Sequence, residues 1–119
     1  MPRDWAGLQN NLGNTLRMIG ELKNDSARLE EAVVAFGLAL EERTRQDAPF
    51  DWAITQNNLG NALRALGKLE GSTKRLEQAV SAYDLALEVF TRDAEPYWND
   101  IVQNNLFLCH TLLTQKRSS

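Results

Sequence analysis

At 119 residues, 43% apolar and 24% charged, the chain has the size and composition of one soluble domain with a modest core. A net charge of −3 and a pI ≈ 5.1 exclude general nucleic-acid binding, which needs a basic stripe to displace counterions. One cysteine, Cys109, excludes an internal disulfide framework, and no apolar run approaches the roughly 18 residues that span a bilayer. Met1-Pro2-Arg3-Asp4-Trp5 lacks the apolar core of a signal peptide, so the cytoplasm is the expected location, without membrane attachment.

Taken in order, Trp5 to about Gly20 reads as a first helix, apolar at Leu8, Leu12, Leu16 and Ile19. Pro2 suits its first turn, where a missing N–H costs nothing. Asn24-Asp25-Ser26 offers turn chemistry, and Asp25 or Ser26 can cap a second helix running to about Arg45. That helix buries Leu29, Ala32, Val33, Phe36, Ala39 and Leu40, and its Glu30, Glu31, Glu41, Glu42, Arg43 and Arg45 read as a solvated face. Pro49 opens a third helix to about Leu69, Gly71-Ser72-Thr73 turns, and a fourth carries Leu76, Ala79, Val80, Tyr83, Ala86 and Leu87. Pro96 opens a fifth that ends near Gln115, leaving a polar tail, 116–119. No strand pattern appears.

One stretch recurs. Gln9-Asn10-Asn11-Leu12-Gly13-Asn14, Gln56-Asn57-Asn58-Leu59-Gly60-Asn61 and a shortened Gln103-Asn104-Asn105-Leu106 start at positions 9, 56 and 103, a constant offset of 47. Trp5–Pro49 and Trp52–Pro96 match at 25 of 45 positions without a gap. A fixed period of this length means stacked units, each unable to bury its apolar face alone. The expectation is one domain, 1–119. It holds antiparallel helical hairpins at about 2–48 and 49–95 and a capping helix at about 96–115.

Leu59-Gly60-x-x-Leu63 followed by Ala79-x-x-x-Tyr83-x-x-Ala86 resembles a tetratricopeptide repeat, as do Leu12-Gly13-x-x-Leu16 and Ala32-x-x-x-Phe36-x-x-Ala39. The resemblance covers essentially the whole chain and implies an all-α, right-handed α-solenoid of two repeats with a closing helix. Glycine and alanines would let paired helices approach, with the aromatic filling the gap between hairpins. Departures are Gln56 where the family places Trp, Leu63 where it places Tyr, and a period 13 residues beyond the usual 34. This long form looks like arrays in bacterial multidomain signalling proteins, some of which carry a caspase-like peptidase domain that has no counterpart here. Differences at 20 of 45 positions fit natural drift better than consensus design.

In the third copy Phe107 replaces Gly60, Leu108 replaces Asn61 and His110 replaces Leu63. The expectation is that Phe107 folds over an exposed end, so the C-terminal end looks complete, while the start sits at a repeat boundary. Val89-Phe90, in place of Glu42-Arg43, is expected to add apolar surface near that end.

No paired-carboxylate, metal or nucleophile constellation stands out, and no enzyme activity or cofactor is expected. Cys109 and His110 are adjacent, so on a helix they diverge by about 100°; both are expected to pack. The resemblance implies that first helices line an inner groove. Asn10, Asn14, Arg17, Asn57, Asn61, Arg64 and Asn104 are then the candidate peptide-binding residues, exposed in the free protein. Their amides would pair with an extended peptide's backbone, and the arginines would favour an acidic side chain or free carboxylate. Asn11, Asn58 and Asn105 are expected to bond between helices instead. The function expected is a non-catalytic protein- or peptide-binding scaffold. The alternative is a structural module self-associating through the array ends, as a dimer or an end-to-end stack.

Overall fold

The computed structural model describes residues 2–118; Met1 and the last residue of the expected tail, Ser119, lie outside them. Five helices follow in order: α1 (Pro2–Lys23), α2 (Ser26–Glu42), α3 (Pro49–Glu70), α4 (Thr73–Val89) and α5 (Pro96–Ser118). Among the described residues there is no strand. α1 is longer at both ends than the sequence indicated, α2 stops three residues earlier, and the expected tail continues α5 as far as Ser118.

The hairpin turns are built alike. Asn24 and its repeat counterpart Gly71 both adopt the left-handed conformation that ends a helix, with φ of 51° and 65°. The next residue caps the following helix: the Asp25 carboxylate accepts from the Ala27 and Arg28 amides, and the Ser72 hydroxyl from the Arg75 amide. Between hairpins, the Thr44 hydroxyl accepts from the Asp47 amide, and the Thr91 hydroxyl likewise from the Ala94 amide. The turns recur at 47 residues because their chemistry does.

Each helix packs on the next, giving a solenoid of helical hairpins in which α3 lies between α2 and α4. Within a hairpin the approach is set by glycine against ring. A Cβ on Gly13 would lie 2.6 Å from the Phe36 ring, and one on Gly60 would lie 2.6 Å from the Tyr83 ring. Between hairpins, Ala32 and Phe36 cluster with Ala62, while Tyr83, Leu76 and Ala79 cluster with Val102, Cys109 and Leu113 of α5. The aromatics therefore close their own hairpin and join the core at the junction with the next.

Several surface expectations change. Glu30 is not merely solvated: Arg75 donates to both its carboxylate oxygens at 2.6 and 2.7 Å, tying α2 to α4. Arg43 pairs with Asp51, and Arg45 pairs with Glu88 while lying 5.5 Å from the Trp52 ring centroid. Phe90 adds no surface, because it is fully buried, stacked on Trp98 at 5.3 Å with Phe50 edge-on at 5.3 Å. Extra apolar volume at this position goes into the α4–α5 corner, against Trp98 of α5.

α5 caps the stack. Where α3 offers Ala53, Gly60 and Leu63 to its partner helix, α5 carries Asp100, Phe107 and His110, all exposed. His110 is thus not packed as expected, and Phe107, at 67% exposure, stands into solvent rather than folding over the end. Both results have one cause: no helix follows α5 within the described residues. Cys109 is buried as expected, its thiol 3.3 Å from the Leu76 carbonyl.

Candidate functional site

The asparagine row is set by where α1, α3 and α5 face one another. Asn10 Oδ1 accepts from Asn58 Nδ2 at 3.1 Å and from the Thr55 hydroxyl at 3.3 Å. One repeat on, Asn57 Oδ1 accepts from Asn105 Nδ2, again at 3.1 Å. The first asparagine of each triplet thus receives the second asparagine of the next. Asn58 and Asn105 bond between helices as the sequence indicated, but their partners are two of the residues expected to be free. Asn57 is only 4% exposed, so the expectation of a solvent-facing amide fails there. Among the described residues no helix precedes α1 for Asn11 to bond, and Asn11 is exposed.

One turn further on the row diverges. Asn61 Oδ1 accepts from the Tyr83 hydroxyl at 2.7 Å, and burial pushes that phenol well above its ordinary range, so it remains a donor. Phe36 occupies the corresponding place in the first hairpin, and Asn14 Oδ1 is buried there without a partner. Arg17 pairs with Glu21 at 2.5 Å. Arg64 Nη1 donates to the Asn105 carbonyl at 3.2 Å and has no carboxylate partner among the described residues. Asn104 is exposed.

Open space lies toward the C-terminal ends of these helices, beyond the asparagines. A cavity of ≈ 390 Å³ is lined by Gly20 and Glu21 of α1, by Asn24 in the turn that follows, and by Ala65, Lys68 and Leu69 of α3, above Leu29. A second, ≈ 310 Å³, runs from Glu21, Arg64, Ala65 and Lys68 to Leu108, Thr111 and Gln115 of α5. Glu21, Ala65 and Lys68 line both, so the two form one groove across the three first-type helices. Of the seven candidates only Arg64 lines it. Asn10, Asn57 and Asn61 instead hold helices in register.

The groove residues that sequence reasoning passed over are Glu21, Lys68 and Gln115, which occupy one repeat position 47 apart. The available signal was variation: this position changes charge from copy to copy while the asparagines recur, as a contact position differs from a packing one. Glu21 is neutralised by Arg17, which leaves Lys68 and Arg64 as the groove's uncompensated charges. Burial pushes the Cys109 thiol up, away from thiolate reactivity. Among the described residues no three His, Cys, Asp or Glu side chains could hold a metal ion, and no helix is long and apolar enough to cross a membrane.

A protein-family model described as tetratricopeptide repeat matches residues 52–87, nearly all of the α3–α4 hairpin. The match supports a tetratricopeptide-repeat assignment for this hairpin, whose sequence the first hairpin repeats and whose packing it shares. No curated protein and no solved structure matches the chain.

Proposed function

We propose that the chain is a non-catalytic docking module that holds an extended, acidic peptide segment in the groove across α1, α3 and α5. Tetratricopeptide hairpins suggest a protein–protein interaction scaffold, and all-helical repeats of this kind are generally not enzymes. The observation that carries the reading is the continuous groove, with Ala65, Leu69 and Leu108 as an apolar floor and Lys68 and Arg64 as its positive charges. A guanidinium and an ammonium in a half-sheltered groove attract a carboxylate more strongly than open surface charges do. Of the candidates named from sequence, only Arg64 remains as a peptide contact in this reading. Asn10 and Asn57 act by holding the groove's three helices in register, and Asn61 ties α3 to α4 through Tyr83.

The test is selection of peptides from a random library on the intact chain, followed by titration of the best binders. Enrichment of acidic sequences is expected. Arg64→Ala with Lys68→Ala should weaken binding by roughly tenfold or more, because charge-assisted hydrogen bonds contribute about 1.5–3 kcal/mol each. Binding unchanged in the double variant, or no acidic enrichment, overturns the reading.

A further inference from the structure

Two repeat positions beside the groove change together from helix to helix. The first is Arg17, Arg64 and Thr111; the second is Glu21, Lys68 and Gln115, each set 47 residues apart on α1, α3 and α5. On α1 the two side chains are opposite charges and pair at 2.5 Å. On α5 both are uncharged, and the Thr111 hydroxyl already donates to the Phe107 carbonyl at 3.0 Å. Only on α3 are both cationic, and neither meets a carboxylate among the described residues. Lys116, next along α5, lies over the turn instead, its Nζ 3.1 Å from where a Cβ on Gly71 would sit. The groove's positive charge therefore belongs to its middle helix.

Apolar surface flanks that charge on both sides. Between α1 and α3 the cavity of ≈ 390 Å³ presents Leu29, Ala65 and Leu69. Between α3 and α5 the cavity of ≈ 310 Å³ presents Ala65, Leu108 and Leu112. Packed helices lie about 8–10 Å apart, so the two hollows on either side of α3 are separated by about that distance. An extended chain rises about 3.3 Å per residue, and about three residues therefore bridge them.

Resting on the docking reading above, we propose that the groove recognises a discrete internal motif: one acidic residue between two apolar residues about three positions apart. The acidic side chain meets Arg64 and Lys68, which can bind it by charge-assisted hydrogen bonds. The apolar side chains enter the hollows on either side of α3. A run of acidic residues fits poorly, because its outer carboxylates would enter apolar hollows without a cation and, on the α1 side, approach Glu21. A chain-terminal carboxylate fits poorly as well, since the motif needs residues on both sides of its charge. Lys68 is then the residue that sets where along the peptide the acid must fall, and Glu21 and Gln115 are the positions that refuse a second one.

Titration calorimetry of the intact chain with three synthetic peptides tests this, their ends acetylated and amidated to remove terminal charge. The first carries two leucines three positions apart with a glutamate between them, in a glycine–serine background. The second has the leucines adjacent, and the third has a run of glutamates and no leucine. The first should bind about tenfold or more tighter than either of the others. Gln115→Lys adds a charge one helix further on. A second glutamate about three residues from the first should then improve binding about tenfold toward one end of the peptide and not the other. Glu21→Lys places the charge one helix back and should favour the opposite end. A glutamate run that binds as tightly as the spaced peptide overturns the inference and leaves the acidic-groove reading standing. So do lysine variants that favour both ends or neither. If none of the three peptides binds while a random library still yields acidic binders, the inference falls alone. Loss of the acidic enrichment as well takes the docking reading with it.

Discussion

The difference between Phe36 and Tyr83 is one oxygen atom, and it decides whether an asparagine is satisfied. Asn61 receives the Tyr83 hydroxyl, whereas Asn14 Oδ1 is buried with nothing to accept. An orphaned buried acceptor costs about 1–3 kcal/mol and a restored hydrogen bond returns about 0.5–1.5 kcal/mol. Phe36→Tyr should therefore raise the urea midpoint, by about 1 kcal/mol of stability, and Tyr83→Phe should lower it by a similar amount. Equal behaviour of the two substitutions would contradict this account. The asparagine triplets give a second contrast. Asn57→Ala removes a buried amide and strands Asn105 Nδ2, with an expected loss of about 1–3 kcal/mol. Asn11→Ala touches no preceding helix and should stay within about 0.5 kcal/mol. Chemical denaturation of both variants side by side checks the pair.

At the scale of the element, glycines in helix interiors separate propensity from packing. Gly37 lies within α2, and a Cβ there meets nothing within 4 Å. Gly37→Ala should stabilise by about 0.5–1 kcal/mol through helix propensity alone. Gly60 lies within α3, where the same methyl group would sit 2.6 Å from the Tyr83 ring. Gly60→Ala has the same propensity gain, yet the ring must shift and its bond to Asn61 with it, so overpacking of about 1–3 kcal/mol wins. The two variants should move the thermal midpoint in opposite directions. The ion pairs that join hairpins, such as Arg75 with Glu30, are part-exposed and contribute at most about 1 kcal/mol each. Register between hairpins therefore rests mainly on apolar packing and the buried asparagine links.

For the whole molecule, stability is a sum of hairpins and the junctions between neighbours. Among the described residues no helix pairs with α5 to make a third hairpin, but α5 covers Tyr83, Phe90 and Leu76 of the second. Truncation after Glu95 should expose that apolar stripe and lower the denaturant midpoint far more than any single substitution above. The truncated chain should also aggregate on concentration, which light scattering would record. A truncated chain as stable and monodisperse as the parent would show that the cap is dispensable.

The offset of 47 residues, the 3–4 spacing of apolar positions and the turn residues Asn24 and Gly71 are local or periodic facts. They were enough to establish helices, hairpins and solenoid from sequence, because each repeat must bury the same stripe in the same way. The end of α5 was not legible, since polarity in 116–118 reads as a tail until the helix is seen to continue. Nor was the fate of the asparagines. Whether an amide on a helix faces solvent or a neighbour depends on interhelical rotation, which is set by how closely Gly13 and Gly60 let the rings approach. That rotation turned Asn10 and Asn57 into links between helices and opened the groove about three turns further on, at Glu21, Lys68 and Gln115. Sequence alone determined which residues recur, and tertiary structure decided which of them are left free to meet a partner, because exposure belongs to the assembled helices rather than to any one of them.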